Sequence, residues 1–140
     1  MKFKLLDEIA HVKGGKRIPK GHKLTNKKTN HPYLRITDYS KNGLVNMDNL
    51  SYLEDSTFEK ISKYIIEEGN IFLSIVGTIG IVDHINSELD GASLTENAVK
   101  IIIKDDKFYD SIFLSYYLKS SRGQFEINSR TVGSTQKNLQ

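Results

Sequence analysis

Gly69-Asn70-Ile71-Phe72-Leu73-Ser74-Ile75-Val76-Gly77-Thr78-Ile79-Gly80-Ile81-Val82 is the stretch that decides the fold class. Two apolar runs, 71–76 and 79–82, lie either side of Gly77-Thr78. A two-residue connection that begins with glycine suits a tight hairpin, because glycine takes a positive φ cheaply at the first turn position. Ala98-Val99-Lys100-Ile101-Ile102-Ile103 reads as a further strand. Tyr33-Leu34-Arg35-Ile36-Thr37 reads as another, closed by the polar stretch Asp38-Tyr39-Ser40-Lys41-Asn42-Gly43.

Helical signals are fewer. Ser56-Thr57-Phe58-Glu59 has capping-box spacing, and Phe58, Ile61, Tyr64 and Ile65 share one helical face, which predicts a helix near 57–66. Phe113, Tyr116, Tyr117 and Leu118 predict a second over 109–121, with Asp110 as its cap and Gly123 beyond its end. Their helical period places these aromatics in the core or on a docking face. Residues 5–12 read as a turn or strand entry, 42–55 stay open between strand and loop, 124–129 add a helical turn, and 131–140 form a polar strand or tail. Strands outnumber helices in mixed order. That predicts an α+β domain, a twisted mixed or antiparallel β-sheet with a few flanking helices.

The 140 residues fit one domain, and 38% hydrophobic content is enough to bury a core. No apolar run approaches the roughly 18–20 residues of a spanning helix. The start Met1-Lys2-Phe3-Lys4 lacks a secretory h-region. A cytoplasmic protein without membrane contact is therefore expected. The absence of cysteine excludes disulfides, thiolate catalysis and Cys-based zinc sites.

The charge is unevenly placed. Residues 1–41 hold 11 Lys and Arg against 3 Asp and Glu, a net of +8, and the remainder of the chain is at −5. Much of the excess lies in 13–32, a glycine-, proline- and Asn/Thr-punctuated stretch that reads as one long basic loop. Such a face either meets a polyanion or is a solvated lysine surface.

Catalytic signatures are missing. Gly14-Gly15-Lys16-Arg17-Ile18-Pro19-Lys20-Gly21-His22 departs from the phosphate-loop pattern, since five residues separate Gly15 from Gly21 and Pro19 removes an amide donor. His11, His22, His31 and His84 are scattered without zinc-ligand spacing. No Gly-x-Ser-x-Gly elbow is present, and Asp105-Asp106-Lys107 reads as a solvent turn after a strand. No glycine-rich cofactor loop follows an opening strand. A binding module is expected, with no catalytic residue, metal or cofactor.

Several segments together resemble the target recognition domain of the specificity subunit of type I restriction–modification systems. They are Leu6-Asp7-Glu8-Ile9, the Gly14–Gly21 loop, Tyr33–Tyr39, Gly69–Gly80, Leu94-Thr95-Glu96-Asn97-Ala98-Val99, Tyr116–Ser120 and Gly133-Ser134-Thr135-Gln136-Lys137-Asn138-Leu139. Each is short, but they occur in the family's order along nearly the whole chain. Glu96-Asn97 stands where relatives more often show Asn-Gln, which leaves Glu96 without an implied role.

The resemblance implies sequence-specific recognition of double-stranded DNA on behalf of an adenine methyltransferase (modification) subunit and, through it, a restriction subunit. The partner carries the methyl-donor cofactor. A complete subunit of this family has two such domains, each followed by a long helix. Residues 1–140 are accordingly expected to be one recognition domain, without spacer helix or second domain. The alternative is a truncated assembly module that docks a partner without reading DNA.

On this reading Lys13, Lys16, Arg17, Lys20, Lys23, Lys27 and Lys28 are the cations for phosphates, and Asn26 and Asn30 are side chains for base edges. Arg35 and Asp38 sit at a strand end, a firmer mount than a loop tip. Arg35 serves equally as a base contact or a salt bridge, and Asp38 equally as a contact or a turn-stabilising Asx bond. Thr78 completes the candidate DNA contacts, with the hairpin requirement as its other role.

Overall fold

In a computed structural model that describes residues 9–104 and 108–132, strand β5 (Ile71–Ser74) is buried at every position. The reason is layering. Ile71 and Leu73 point into one core with Val99, Ile101, Leu114, Leu118 and Ile127, while Phe72 points into a second with Leu34, Ile66 and Leu94. A strand covered on both faces needs a near-continuous apolar run, and Ile71-Phe72-Leu73 supplies it before the buried Ser74.

The remaining strands among the described residues are β1 (Ala10–Gly14), β2 (His31–Leu34), β3 (Ser51–Leu53), β4 (Ile65–Ile66), β6 (Val82–His84), β7 (Ala92–Leu94) and β8 (Ala98–Ile103). They divide into two four-stranded sheets, ordered β1-β8-β5-β6 and β3-β2-β7-β4, where the sequence reading foresaw one. Every pairing among these strands is antiparallel except β2 with β7. The α+β class holds. Helices α2 (Phe108–Lys119) and α3 (Ser121–Val132) cover the first sheet, and the second sheet lies on its other face. Beyond that second sheet a third cluster joins Tyr33, Leu53 and Ile61 to Ile18 and Leu24 of the basic loop.

Several expectations need correction. The 71–82 hairpin is present, but its ladder ends at Leu73↔Val82, so the turn is longer than two residues. Ser74 explains the length. Its amide donates to Ile81 O at 3.0 Å and its hydroxyl accepts from Ile81 N at 2.8 Å, holding 75–80 as a closed loop.

The helix predicted near 57–66 is the shorter α1 (Asp55–Lys60). It stops because Ile65 and Ile66 pair with Ser93 and Ala92 of β7, a ladder that outweighs local helical spacing. The undecided 42–55 stretch holds β3 and a 3-10 turn, Met47–Asn49. Helix α2 forms as predicted, yet its inward face is Ser111, Leu114, Ser115 and Leu118, and Phe113 and Tyr116 are exposed. Serines let a helix approach a strand closely, so the bulky residues take the outer face. Gly123 lies inside the first turn of α3, whose cap is Ser120, its hydroxyl accepting from Gly123 N at 3.1 Å. Residues 5–8, 105–107 and 133–140 lie outside the described residues.

Tyr39 ties the segment that follows β2 to the first sheet. Its ring lies 4.6 Å from that of Phe72 and its hydroxyl donates to Asp83 Oδ2 at 2.7 Å. Burial pushes the Asp83 carboxyl above the usual carboxylate range, against the Tyr39 hydrogen bond and the Lys119 charge. A carboxyl whose pKa is higher in the folded state adds stability below its unfolded value of about 3.9, and that stability is lost as pH rises through the folded value. Asp83→Asn keeps an acceptor for Tyr39 and removes the titration. Urea unfolding from pH 3 to pH 7 is expected to show the variant gaining on the parent as pH rises; parallel curves would contradict this.

Candidate nucleic-acid interface

The basic loop is clamped along its length. Gly15 N donates to Ala98 O at 3.3 Å, Lys16 N to Leu94 O at 2.8 Å, and the Tyr33 hydroxyl to Lys16 O at 2.7 Å. Farther on, His22 Nδ1 meets Thr57 Oγ1 at 2.7 Å. Thr25 exchanges two 2.9 Å backbone bonds with Tyr52, and the Thr29 hydroxyl donates to Leu53 O at 2.6 Å.

Apolar residues of the loop turn inward and its cations outward. Ile18 and Leu24 pack on Tyr33, Leu53 and Ile61. Lys13, Lys16, Arg17, Lys20, Lys23, Lys27 and Lys28 are all exposed, as are Asn26 and Asn30. The Lys16 ammonium sits 5.8 Å from the Tyr64 ring centroid. The loop is shorter than the sequence indicated, since Lys13 and Gly14 belong to β1 and His31 and Pro32 to β2. Pro32 is tolerated because the ladder to β7 begins only at Tyr33.

A cleft of about 560 Å³ opens beside this loop. Because β2 and β7 run parallel, their carboxyl ends open on the same side. The segments that follow them contribute Arg35, Thr37, Thr95, Glu96 and Asn97, and the loop contributes Arg17, Ile18 and Leu24.

Arg35 and Asp38 turn out to be bonded to each other. Residues Ile36–Asp38 form a 3-10 turn rather than the end of a strand. Asp38 is buried, and its carboxylate accepts from Arg35 N at 2.8 Å and from Arg35 Nη2 at 3.4 Å. Arg35 Nη2 also donates to Ser51 Oγ at 3.0 Å, and Arg35 Nε is buried without a hydrogen-bond partner among the described residues. The Asx-type and salt-bridge roles are therefore the ones the geometry displays, and Asp38 is inaccessible to a base. Asp38→Ala leaves Arg35 N and part of the guanidinium unpaired at a buried site. It is expected to cost about 1–3 kcal/mol in urea unfolding; an unchanged midpoint would contradict this.

Thr78 is exposed in the β5–β6 loop, and that loop springs from the same place. Ile75 N and Val76 N both donate to Asn97 O, at 2.9 and 3.2 Å. The three residues that join β7 to β8 thus bind the cleft, the hairpin loop and the basic loop into one surface.

The sequence reading left Glu96 unassigned, and the structure places it at the cleft rim. Its Oε2 is 3.1 Å from Arg17 Nε and its Oε1 accepts from the Thr95 hydroxyl at 3.0 Å. Burial raises the Tyr33 pKa, opposed by a Thr95 hydrogen bond; Glu96 raises it further, while Arg35 and Arg17 lower it. Three charged groups therefore act on one phenol. The only sequence signal for Glu96 was an acid-amide pair between two strand-like runs.

Among the described residues no group of three or more His, Asp and Glu is placed to hold a metal ion. His31 stacks on Phe58 at 4.0 Å and bonds Asp55, while His84 bonds Ser111. No helix among the described residues is long and apolar enough to cross a membrane.

Residues 1–140 match the family model described as type I restriction modification DNA specificity domain. The crystal structure of the HsdS subunit from Thermoanaerobacter tengcongensis is similar in fold, with a TM-score of 0.64 and 15% identity. The match covers 96% of this chain and 30% of that one. No curated protein matches.

Proposed function

This chain belongs to the family of type I restriction modification DNA specificity domains, and from that membership we propose that it reads double-stranded DNA without catalysing any reaction. It supplies target sequence to a complex of a methyltransferase subunit and a restriction subunit, acting as one recognition domain of a specificity chain. The methyl donor and the chemistry belong to the partner, and the complex works in the cytoplasm.

The observation that carries this reading is an ordered loop that turns six cations outward beside a cleft, Lys16, Arg17, Lys20, Lys23, Lys27 and Lys28, with Lys13 exposed on the adjoining strand β1. Lysines on a fixed frame neutralise phosphates and set the register on the duplex, without distinguishing sequences. Base discrimination falls to side chains that carry hydrogen-bond donors and acceptors: the exposed Asn26, Asn30 and Thr78, and Arg35 in the wall of the cleft. Asp38 holds Arg35 in place.

A second reading, an assembly module without DNA readout, draws on Phe113, Tyr116 and Phe125, which are 75%, 66% and 72% exposed on the helix pair. Those helices lie on the first sheet, while the basic loop lies on the far side of the second. Both uses fit one chain.

The test is a graft of residues 1–140 into an active specificity chain, with the methylated adenines then mapped across a genome. The expected result is a changed half of the recognition motif. Methylation that keeps the recipient's original motif would contradict DNA readout.

A further inference from the structure

Glu96 is an anomaly on a face built for phosphates. A carboxylate there repels every duplex, and an exposed ion pair with Arg17 returns little stability. It is nevertheless firmly mounted. Thr95 N donates to Leu34 O at 3.2 Å, Asn97 N bonds Thr95 Oγ1 at 3.3 Å, and Asn97 O accepts from two amides of the hairpin loop. The carboxylate is therefore fixed between two sheets, at the rim of a cleft. Such precise mounting befits a group that discriminates rather than one that attracts.

The chemistry of the pair is specific. Arg17 engages Glu96 through Nε, and its side chain is 77% exposed. A guanidinium has donors beyond Nε, and each carboxylate oxygen has a second lone pair. Donors and an acceptor thus stand on two adjoining groups, whose own Nε to Oε2 contact is 3.1 Å. In the major groove a G·C pair presents N7 and O6 acceptors of guanine next to the N4 amino donor of cytosine. The two patterns are complementary. An A·T pair presents acceptor, donor, acceptor and a methyl group, which sets a thymine O4 against the carboxylate.

We propose that Arg17 and Glu96 form a composite reader of one G·C base pair, Arg17 donating to guanine and Glu96 accepting from the paired cytosine. This rests on the reading of the chain as a binder of duplex DNA. It separates Arg17 from its lysine neighbours, because a pair of zero net charge adds no general attraction for phosphate.

The test uses the full chain and a duplex selected by it from a randomised pool, with all four base pairs substituted at each position. Fluorescence anisotropy should show one position where the parent prefers G·C at least fivefold. Glu96→Gln should reduce that preference to below about twofold, leave the preferences at other positions intact, and bind non-cognate duplexes as well or better. Arg17→Lys keeps the charge but loses the planar edge, and should lose guanine preference at the same position. If both variants keep every base preference, or weaken all duplexes equally, the pair is a structural or phosphate contact and the proposal is overturned. A parent chain that retains no duplex at low salt overturns the DNA reading itself, and this inference with it.

Discussion

Gly15→Ala lowers stability by about 2–4 kcal/mol in urea unfolding, whereas Gly14→Ala, one residue earlier, leaves it within about 0.5 kcal/mol. A Cβ at position 15 would lie 2.1 Å from Thr95 O and 2.2 Å from Leu94 O, both backbone atoms. No rotamer relieves such a contact. The end of β7 must move, or the basic loop must lift away from it. A Cβ at position 14 meets nothing within 4 Å. The neighbour is thus an internal control for any intrinsic effect of removing a glycine. Because Gly15 abuts Leu94 and Thr95, its substitution also displaces the wall of the cleft, so DNA affinity should fall together with stability. Equal midpoints for the two variants would mean that the loop does not sit on β7.

The second large effect is electrostatic. Lys16, Lys20, Lys23, Lys27 and Lys28 are replaced together by glutamine, with the apolar anchors Ile18 and Leu24 kept. Stability should stay within about 0.5 kcal/mol per site, because all five side chains are exposed. Affinity for every duplex should fall by about 10³-fold or more at low salt. If each lysine neutralises one phosphate, the slope of log affinity against log salt should shrink by four to five units, about 0.9 per contact. Unchanged affinity and slope would make the loop a solvated surface.

The sequence was legible where one force dominated. Residues 71–74 and 98–103 read correctly as strands because burial demands mostly apolar runs, whereas Ile75 and Val76, read with the first of them, belong to the loop after Ser74. Signals that depend on distant partners were misread. Ile65 and Ile66 looked helical beside Phe58 and Ile61, and only their pairing with β7 makes them a strand. The face of α2 was read only in part: Leu118 is in the core and Tyr117 packs against it, but Phe113 and Tyr116 are exposed, and Ser111 and Ser115 take the buried positions that a count of apolar residues overlooks.

The candidate site divides in the same way. Its cations could be read directly from local charge density, and they are exposed on one ordered loop. The bond from Asp38 to Arg35 N is local, and was one of the two roles foreseen for that residue. Glu96 was out of reach, because its partner Arg17 is far away in sequence and meets it only once β2 and β7 lie side by side.

The most direct test of sequence-specific DNA recognition is selection of a randomised duplex pool by the purified full chain at two salt concentrations. The structure predicts enrichment of one short motif at both, with retained duplex falling steeply as salt rises. Retention without an enriched motif, or none even at low salt, would contradict it.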